Sequence, residues 1–147
     1  MIPLSVNVKN NLLRGDHTMT ITSFNPQIVT RDAEATIALF EALGFERIHT
    51  KNNINELGMS ITAVRMKCEG EDGKVFHVDV TSAPVPQDIT TIRMNTRAFD
   101  ETYRMLEEKG FKNSQGERIA NTGSSRIASM VSPSGFSISV VEHFRHE

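Results

Sequence analysis

One stretch of the sequence occurs twice, and this repeat restricts the possible folds more than any other feature. Residues 30–45 are matched by residues 96–111 at one constant separation, that of Thr30 from Thr96. The residue types that coincide are Thr, Arg, Thr, Glu, Gly and Phe. In each copy, apolar residues at helical spacing precede a Gly and a Phe, which is typical of a helix that ends at a left-handed Gly and leads into a strand. The chain is therefore predicted to contain two copies of one strand–helix–strand unit.

Apolar and turn residues extend each copy to a βαβββ plan. The predicted strands are at about residues 21–29, 45–51, 59–68, 74–81, 89–95, 111–115, 125–131 and 136–141, and the predicted helices are at residues 33–43 and 98–109. Asp32 is the predicted N-cap of the first helix, which is expected to bury Ile37, Phe40 and Leu43. Two prolines within residues 82–86 favour an extended connector. We predict one domain composed of two units, residues 19–82 and 83–147.

Composition excludes several classes of protein. The formal net charge of −2 over 147 residues gives neither the basic surface that binds nucleic acid nor a polybasic signal for membranes. The single cysteine, Cys68, excludes an intramolecular disulfide and a Cys-rich zinc site, and it favours a reducing cytoplasm. No stretch approaches the roughly 20 apolar residues of a spanning helix. A soluble cytoplasmic protein is expected.

The first residues fit neither copy of the repeat. Residues 1–18 lack the basic start and apolar run of a secretory signal and are rich in Asn, so we expect a poorly ordered extension. A second interpretation is that translation starts at Met19, since Arg14-Gly15 can be encoded by purine-rich codons that resemble a bacterial ribosome-binding site.

The repeat and its turns together resemble a known family. The tandem βαβββ plan, the segment Leu43-Gly44-Phe45 and the turn Ser132-Pro133-Ser134-Gly135-Phe136 before the last strand are similar to the vicinal oxygen chelate superfamily. This superfamily includes glyoxalase I, extradiol dioxygenases, and fosfomycin- and bleomycin-resistance proteins. The resemblance covers nearly all of residues 20–142. It implies an α+β fold in which a mixed sheet curls into a cup, with the helices outside and a ligand or metal inside, and it implies a homodimer.

Alternation of side chains along four predicted strands indicates which residues line that cup. In residues 76–80 the even positions are apolar and the odd positions polar, and the predicted strands around residues 25, 92 and 138 alternate in the same way. The apolar set is expected to pack under the helices. The predicted ligand-binding residues on the other face are Asn25, Gln27, His77, Asp79, Thr91, Arg93, Ser137 and Ser139.

The resemblance also implies where a metal would bind. Members that use a metal place one ligand, typically His or Gln, Glu, His and Glu, on each of these four strands. The matching positions are approximately Asn25, Asp79, Thr91 and Ser139, of which only Asp79 is a good ligand for a divalent ion. The usual metal site is therefore predicted to be missing, and no cofactor is expected. A displaced site that uses His77 and Asp79 with Gln27 or Asn25 stays open.

Other interpretations of the polar residues are structural. Asp79 is expected to form an ion pair with Arg93 across the cup, and His77 to be a solvated or hydrogen-bonded sheet histidine. Glu142, His143 and His146 are expected to form a frayed tail.

The leading functional prediction is a metal-independent protein of glyoxalase and bleomycin-resistance type that binds a polar small molecule in the cup. One alternative is an enzyme, either a metal-dependent lyase, isomerase or dioxygenase-like protein with an atypical site, or a metal-free catalyst in which His77 and Asp79 act together. A third class is an effector-sensing module or subunit.

Overall fold

The computed structural model describes residues 20–54, 60–121 and 124–144. The predicted extension of residues 1–18, the start of the third predicted strand at Met59, and His146 lie outside these ranges. The strands are β1 (Ile21–Thr30), β2 (Glu46–Ile54), β3 (Ser60–Glu69), β4 (Val75–Ser82), β5 (Ile89–Thr96), β6 (Lys112–Asn113), β7 (Ala120–Asn121), β8 (Ser125–Val131) and β9 (Ser137–His143), and the helices are α1 (Ala33–Ala42) and α2 (Phe99–Glu108).

The described residues form one mixed sheet of nine strands in the order β2-β3-β4-β1-β5-β9-β8-β6, with β7 paired to β8. Within each half, the first strand pairs in parallel with the last, β1 with β4 and β5 with β9. The halves join where β1 and β5 pair antiparallel at the centre of the sheet. This topology confirms the predicted α+β fold of two βαβββ units.

The two helices end in the same way, as the repeat predicts. Gly44 and Gly110 follow the helices with positive φ values of 108° and 96°. Each Gly is followed by a Phe whose backbone N–H donates to a carbonyl in the last turn, from Phe45 to Phe40 and from Phe111 to Leu106. These bonds satisfy carbonyl groups that have no partner within the helix. They direct the chain into the next strand in each half.

Two apolar clusters lie between the helices and the sheet, one in each half. The first contains Ile37, Val64, Met66, Val78 and Val80. The second contains Met94, Phe99, Leu106, Ala128, Met130 and Val140.

The prediction that Leu43 is buried is wrong, because this residue is 62% exposed. Leu43 follows the last helical residue as the C-cap, where it is no longer on the face that packs on the sheet. Neither helix in the described ranges has the length and apolar character needed to span a bilayer.

The observed strands differ from the predicted ones at several ends. β2 continues through Ile54, although Asn52 and Asn53 favour a turn, because both pair with β3. The strand predicted at residues 111–115 is reduced to two residues, and the short β7 was not expected. β9 reaches His143 rather than ending at residue 141, so Glu142 and His143 belong to the sheet and not to a frayed tail.

The strand register shows which positions of the two halves are equivalent. Gln27 of β1 lies opposite Asp79 of β4, and Arg93 of β5 lies opposite Ser139 of β9. Residue 93 is the repeat equivalent of residue 27, so Asp79 and Ser139 occupy matching places. Asn25 and Thr91 match at the same separation as Thr30 and Thr96. The four positions at which the resemblance places metal ligands are therefore two symmetric pairs.

Candidate functional site

The predicted alternation of faces is confirmed for part of the apolar set, but the expectation that Phe24, Phe76 and Phe136 pack under the helices is wrong, because they are 59%, 51% and 53% exposed. The even residues Val78, Val80, Met94 and Val140 belong to the two apolar clusters under the helices. The odd residues Arg93 and Ser139 line cavities on the opposite side of the sheet. We call this opposite, concave side the cup.

An inner cavity of about 360 Å³ lies in the cup and is lined by strands of both halves. Five of the eight predicted ligand-binding residues line it: Gln27, Thr91, Arg93, Ser137 and Ser139. Apolar side chains also line it: Val29, Ile61, Ala63, Ile89, Ala120, Ile127 and Val141. Its size is within the range of small-molecule pockets.

A second cavity of about 520 Å³ adjoins the first. The two share four lining residues: Lys51, Ala63, Arg93 and His143. Arg65 and Asp79 also line it. Because three cationic side chains lie along its wall, we call it the basic cavity.

Asp79 is held by residues of its own half. The carboxylate of Asp79 accepts hydrogen bonds from Arg65, from Nε to Oδ1 at 2.9 Å and from Nη2 to Oδ2 at 3.2 Å. Asn25 Nδ2 also donates to Oδ2. The prediction of an ion pair between Asp79 and Arg93 is wrong. Arg65 lies directly opposite Asp79 in the β3–β4 register and forms the ion pair with its carboxylate instead.

Arg93 therefore has no carboxylate within ion-pair distance among the described residues. Its Nε donates to Asn95 Oδ1 at 3.2 Å, and its Nη2 lies 3.4 Å from His143 Nε2. Burial lowers the pKa of Arg93, while Asp79 raises it and Arg65 lowers it. A guanidinium stays charged at neutral pH. Arg93 is thus a partly buried cation whose charge is not paired within the described residues.

Lys51 and His143 extend this cationic wall. Lys51 Nζ donates to Ser124 Oγ at 2.7 Å, and burial followed by repulsion from Arg93 lowers the pKa of Lys51. The His143 side chain keeps an exposed surface. Even so, loss of water around part of its ring, and then repulsion by cations led by Arg93 and Lys51, lower the pKa of His143 from 6.5 to about 4. His143 is therefore neutral at pH 7.

Gln27 offers an unused hydrogen-bond acceptor. Its side chain is 6% exposed and its Nε2 donates to Thr81 Oγ1 at 2.8 Å. Its Oε1 is buried and has no hydrogen-bond partner among the described residues. An unsatisfied buried acceptor is costly, so a group that donates to it would be favoured in the inner cavity.

The remaining predicted residues have other surroundings. Thr91 Oγ1 donates to the backbone oxygen of Ser137 at 2.9 Å. His77 is half-buried and lines a separate hollow beside Phe24 and Phe76. It does not line either cavity of the cup.

The four positions at which the resemblance places metal ligands do not suit a divalent cation. Both oxygens of Asp79 accept from Arg65, Asn25 is turned to the same carboxylate, and Thr and Ser hydroxyls are poor ligands. Within residues 20–54, 60–121 and 124–144, no three His, Cys, Asp or Glu side chains lie together as a ligand set. The positive charges of Lys51, Arg65 and Arg93 would also repel a metal ion bound near the basic cavity.

Arg65, Lys51 and His143 were missed by the sequence analysis. A signal for Arg65 was present, since Ile61, Ala63 and Arg65 share one face of β3 by the alternation used for the other strands. Lys51 and His143 lie near strand ends whose extent was underestimated.

The chain has the fold of known epimerases. A methylmalonyl-CoA epimerase from Streptomyces coelicolor, in complex with 2-nitronate-propionyl-CoA, superposes with a TM-score of 0.58 at 19% identity, over 86% of this chain and 100% of that one. The Mycobacterium tuberculosis methylmalonyl-CoA epimerase gives 0.58 at 16% identity, over 87% and 92%. A methylmalonyl-CoA epimerase in complex with methylmalonyl-CoA and NH4+ gives 0.56 at 21% identity, over 84% and 96%.

These epimerases are members of the vicinal oxygen chelate superfamily, so the fold implied by the resemblance is confirmed. No protein-family model matches the chain, and no curated protein matches its sequence.

Proposed function

We propose that this chain binds a polar small molecule in the cup, without a metal, as a cytoplasmic protein of glyoxalase and bleomycin-resistance type. The observation that carries the proposal is a pair of adjoining cavities, walled by both halves, that contains unpaired polar and charged groups. Support also comes from the comparison, since epimerases of this fold are described with CoA ligands.

The proposed roles follow from the contacts. Arg93 and Gln27 bind the ligand directly, and the hydroxyls of Thr91, Ser137 and Ser139 add hydrogen bonds along the inner cavity. Asp79 and Asn25 act indirectly, because Asp79 accepts from Arg65 and holds it in place, while Asn25 donates to Asp79. No contact is proposed for His77, which faces a different hollow.

Metal independence is tested by elemental analysis of protein purified without chelator. We expect well below one equivalent of Ni, Zn, Fe or Mn. One retained equivalent that is lost in Asp79→Asn, while Glu34→Gln keeps it, would contradict the proposal. Glu34 is a suitable control because its carboxylate is exposed on α1, outside the cup.

A second candidate is an enzyme of the lyase or isomerase class, favoured by the shared fold with epimerases. The side chain placed to move a proton is His143, which is neutral and lies beside Arg93. In the test, acyl-CoA thioesters are incubated with the protein in deuterated water. NMR then measures whether a C–H proton of the thioester is exchanged for deuterium. Exchange that is lost in His143→Asn would favour the enzyme over the binding protein.

We also propose a homodimer formed through an apolar patch, defined as Phe24, Phe76, Ile92 and Phe136. The three Phe side chains are 59%, 51% and 53% exposed, and Phe24 lines one hollow with Phe76 and another with Ile92 and Phe136. Patches of this kind mark interaction surfaces. Phe76 and Phe136 occupy equivalent positions in the two halves, which suits a two-fold interface.

Sedimentation analysis tests the dimer. We expect a dimer that dissociates when Phe76 and Phe136 are both replaced by Ser. Leu39→Ser serves as the control, because Leu39 is 56% exposed on α1, away from the patch. A monomeric parent protein would refute the proposed interface.

A further inference from the structure

We propose that the ligand of the cup is an organic oxyanion, a carboxylate or a phosphate ester, that also carries a hydroxyl or N–H donor on an apolar body. This inference rests on the proposed function and names its ligand class.

The charge around the cup selects an anion. The basic cavity is lined by three cationic side chains, Lys51, Arg65 and Arg93. Among its described lining residues, one side chain is acidic, that of Asp79. Asp79 neutralises Arg65 through two hydrogen bonds. Lys51 and Arg93 are left as two positive charges without an acidic partner in the described part of the chain. A carboxylate or phosphate accepts hydrogen bonds from both types of cation.

Both free cations are already positioned for a ligand. Lys51 is fixed by Ser124 at 2.7 Å, and Arg93 is fixed by Asn95 at 3.2 Å. Each of these partners is neutral, so a bound oxyanion would not have to displace a carboxylate. Both side chains line the inner as well as the basic cavity. An anion between them therefore places the rest of its molecule in the inner cavity.

His143 responds to the same charges. Its ring lies 3.4 Å from the guanidinium of Arg93, and its pKa is lowered first by burial and then by repulsion from the neighbouring cations, so the ring remains neutral. The groups that face it are Arg93 on β5, Lys51 and His49 on β2, and Arg65 on β3. An anion bound at Lys51 and Arg93 would weaken this repulsion and raise the pKa of His143.

The inner cavity determines the rest of the ligand. Gln27 Oε1 is buried, without a described partner, in a wall that also contains Val29, Ile89 and Val141. Gln27 pairs with Thr91, two residues from Arg93 on β5. Such diagonal neighbours have Cβ atoms roughly 7 Å apart. A donor several bonds from the oxyanion would therefore reach Oε1 while the apolar body contacts the aliphatic wall.

The experiment compares matched probes of different charge. The first arm contains hydroxycarboxylates of up to about eight carbons. The other three arms keep the same carbon skeletons and hydroxyl group but replace the carboxylate by a phosphate ester, by an uncharged methyl ester or by an amine. Binding to the full chain is detected by thermal shift and quantified by calorimetry. We expect binders among the carboxylates or the phosphate esters, and the tighter of these two arms identifies the oxyanion. Uncharged esters and amines are expected to bind at least tenfold more weakly.

Variants locate the site. Arg93→Met should weaken binding of the best anion by about tenfold or more, whereas Arg47→Met should change it less than about twofold. Arg47 is the matched control, because it loses the same charge on the outer surface beside Glu34 and Glu41. If Arg93→Met does not fold, as judged by circular dichroism, Lys51→Met takes its place with the same expected loss.

The outcomes separate the two proposals. If esters or amines bind as tightly as the anions, or if the affinity for the anion survives both cup variants, the oxyanion inference is wrong while the small-molecule function stands. If no probe of any charge binds, the proposed function itself fails. Affinity that falls with added salt supports the ionic contact.

Discussion

Asp79 keeps 4% of its side chain exposed, so its negative charge depends on the groups that bond to it. Arg65 supplies two of these bonds, and its own side chain is 23% exposed. Removal of one member of a buried ion pair leaves the other charge without compensation. The Arg65–Asp79 pair therefore has a structural role, because it joins opposite residues of β3 and β4 beneath the basic cavity.

Asp79→Ala is expected to lower the free energy of unfolding by about 2 kcal/mol, because the partly buried Arg65 would lose its partner. Urea denaturation measures this change. Glu34→Ala is the control, since its 3.4 Å contact with Arg47 is exposed and should contribute at most about 1 kcal/mol. The double variant with Arg65→Met should regain part of the loss. Equal effects of Asp79→Ala and Glu34→Ala would contradict a buried pair.

The lowered pKa of His143 makes the stability of the protein depend on pH. The folded-state pKa of about 4 lies below the unfolded value of 6.5. As the pH falls from 6.5 towards 4, the unfolded chain takes up this proton before the folded chain, so the stability of the wild type should decrease. His143→Asn should lose less stability over the same range, measured by denaturation at several pH values. An NMR titration of the ring near pH 6.5 would refute the lowered pKa.

Individual side chains of the site could be predicted only where alternation was applied. Gln27, Thr91, Arg93, Ser137 and Ser139 were predictable from strand parity, since a strand that buries its even residues turns its odd residues to the opposite face. The same rule wrongly placed His77 in the cup, because this residue lines a separate hollow. The partner of Asp79 does not follow from parity. It depends on which strand lies next to β4 and in what register, and neither is fixed by local sequence.

At the scale of secondary structure elements, the two helices start from nearly the same backbone but with different side chains. Asp32, the N-cap of α1, has φ −116° and ψ 71°, and Ala98, at the equivalent place before α2, has φ −122° and ψ 66°. The hydroxyl of Thr30 accepts from the backbone N–H of Asp32, and the hydroxyl of Thr96 accepts from that of Ala98. Only Asp32 also has a side chain that caps, through its bond from Ala35 N at 3.1 Å.

This difference predicts opposite effects of two exchanges. Asp32→Ala should destabilise the protein by about 1 kcal/mol, because a backbone N–H of the first turn loses its acceptor. Ala98→Asp should stabilise it by about 0.5 kcal/mol, a small gain because Asp100 and Glu101 already place negative charge in that turn. Thermal denaturation measures both. A destabilising Ala98→Asp would show that the two helix starts are not interchangeable.

Element ends were the least predictable part of the fold. The Asn residues of β2 favour a turn by themselves, but their backbone groups pair with β3 as far as Ile54. Likewise, Glu142 stays in β9 because it pairs with Arg126 of β8, whose side chain also donates to its carboxylate at 2.9 Å. Both strand extensions are produced by a neighbouring strand, so a single segment of sequence does not reveal them.

At the scale of the whole molecule, the repeat determines most of the architecture. Thr, Arg, Gly and Phe recur where a strand enters a helix and where the helix ends, so two copies of the unit were predictable from one alignment of the chain with itself. What the repeat does not contain is the joint between the halves. The antiparallel pairing of β1 with β5 closes the cup, and it is this pairing that brings Gln27 next to Thr91.

Because β1 pairs with β5, the two halves are expected to unfold cooperatively, as the single domain predicted for residues 19–147 would. Val80 and Val140 occupy equivalent places in the two halves and are both fully buried. Val80→Ala and Val140→Ala should each remove about 2 kcal/mol through lost burial and a cavity. If the shared sheet makes the halves unfold together, each variant should show a single transition, shifted down by roughly 4–8 °C.

The double variant completes the test. The two valines belong to separate apolar clusters, so their effects on one cooperative transition should add. Calorimetry distinguishes this from independent halves, in which each single variant would split the transition into a lowered part and an unchanged part. A split would mean that the β1–β5 pairing is too weak to couple the units. The cup would then depend on its ligand, bound from both halves, to stay assembled, and saturating ligand should merge the two transitions again.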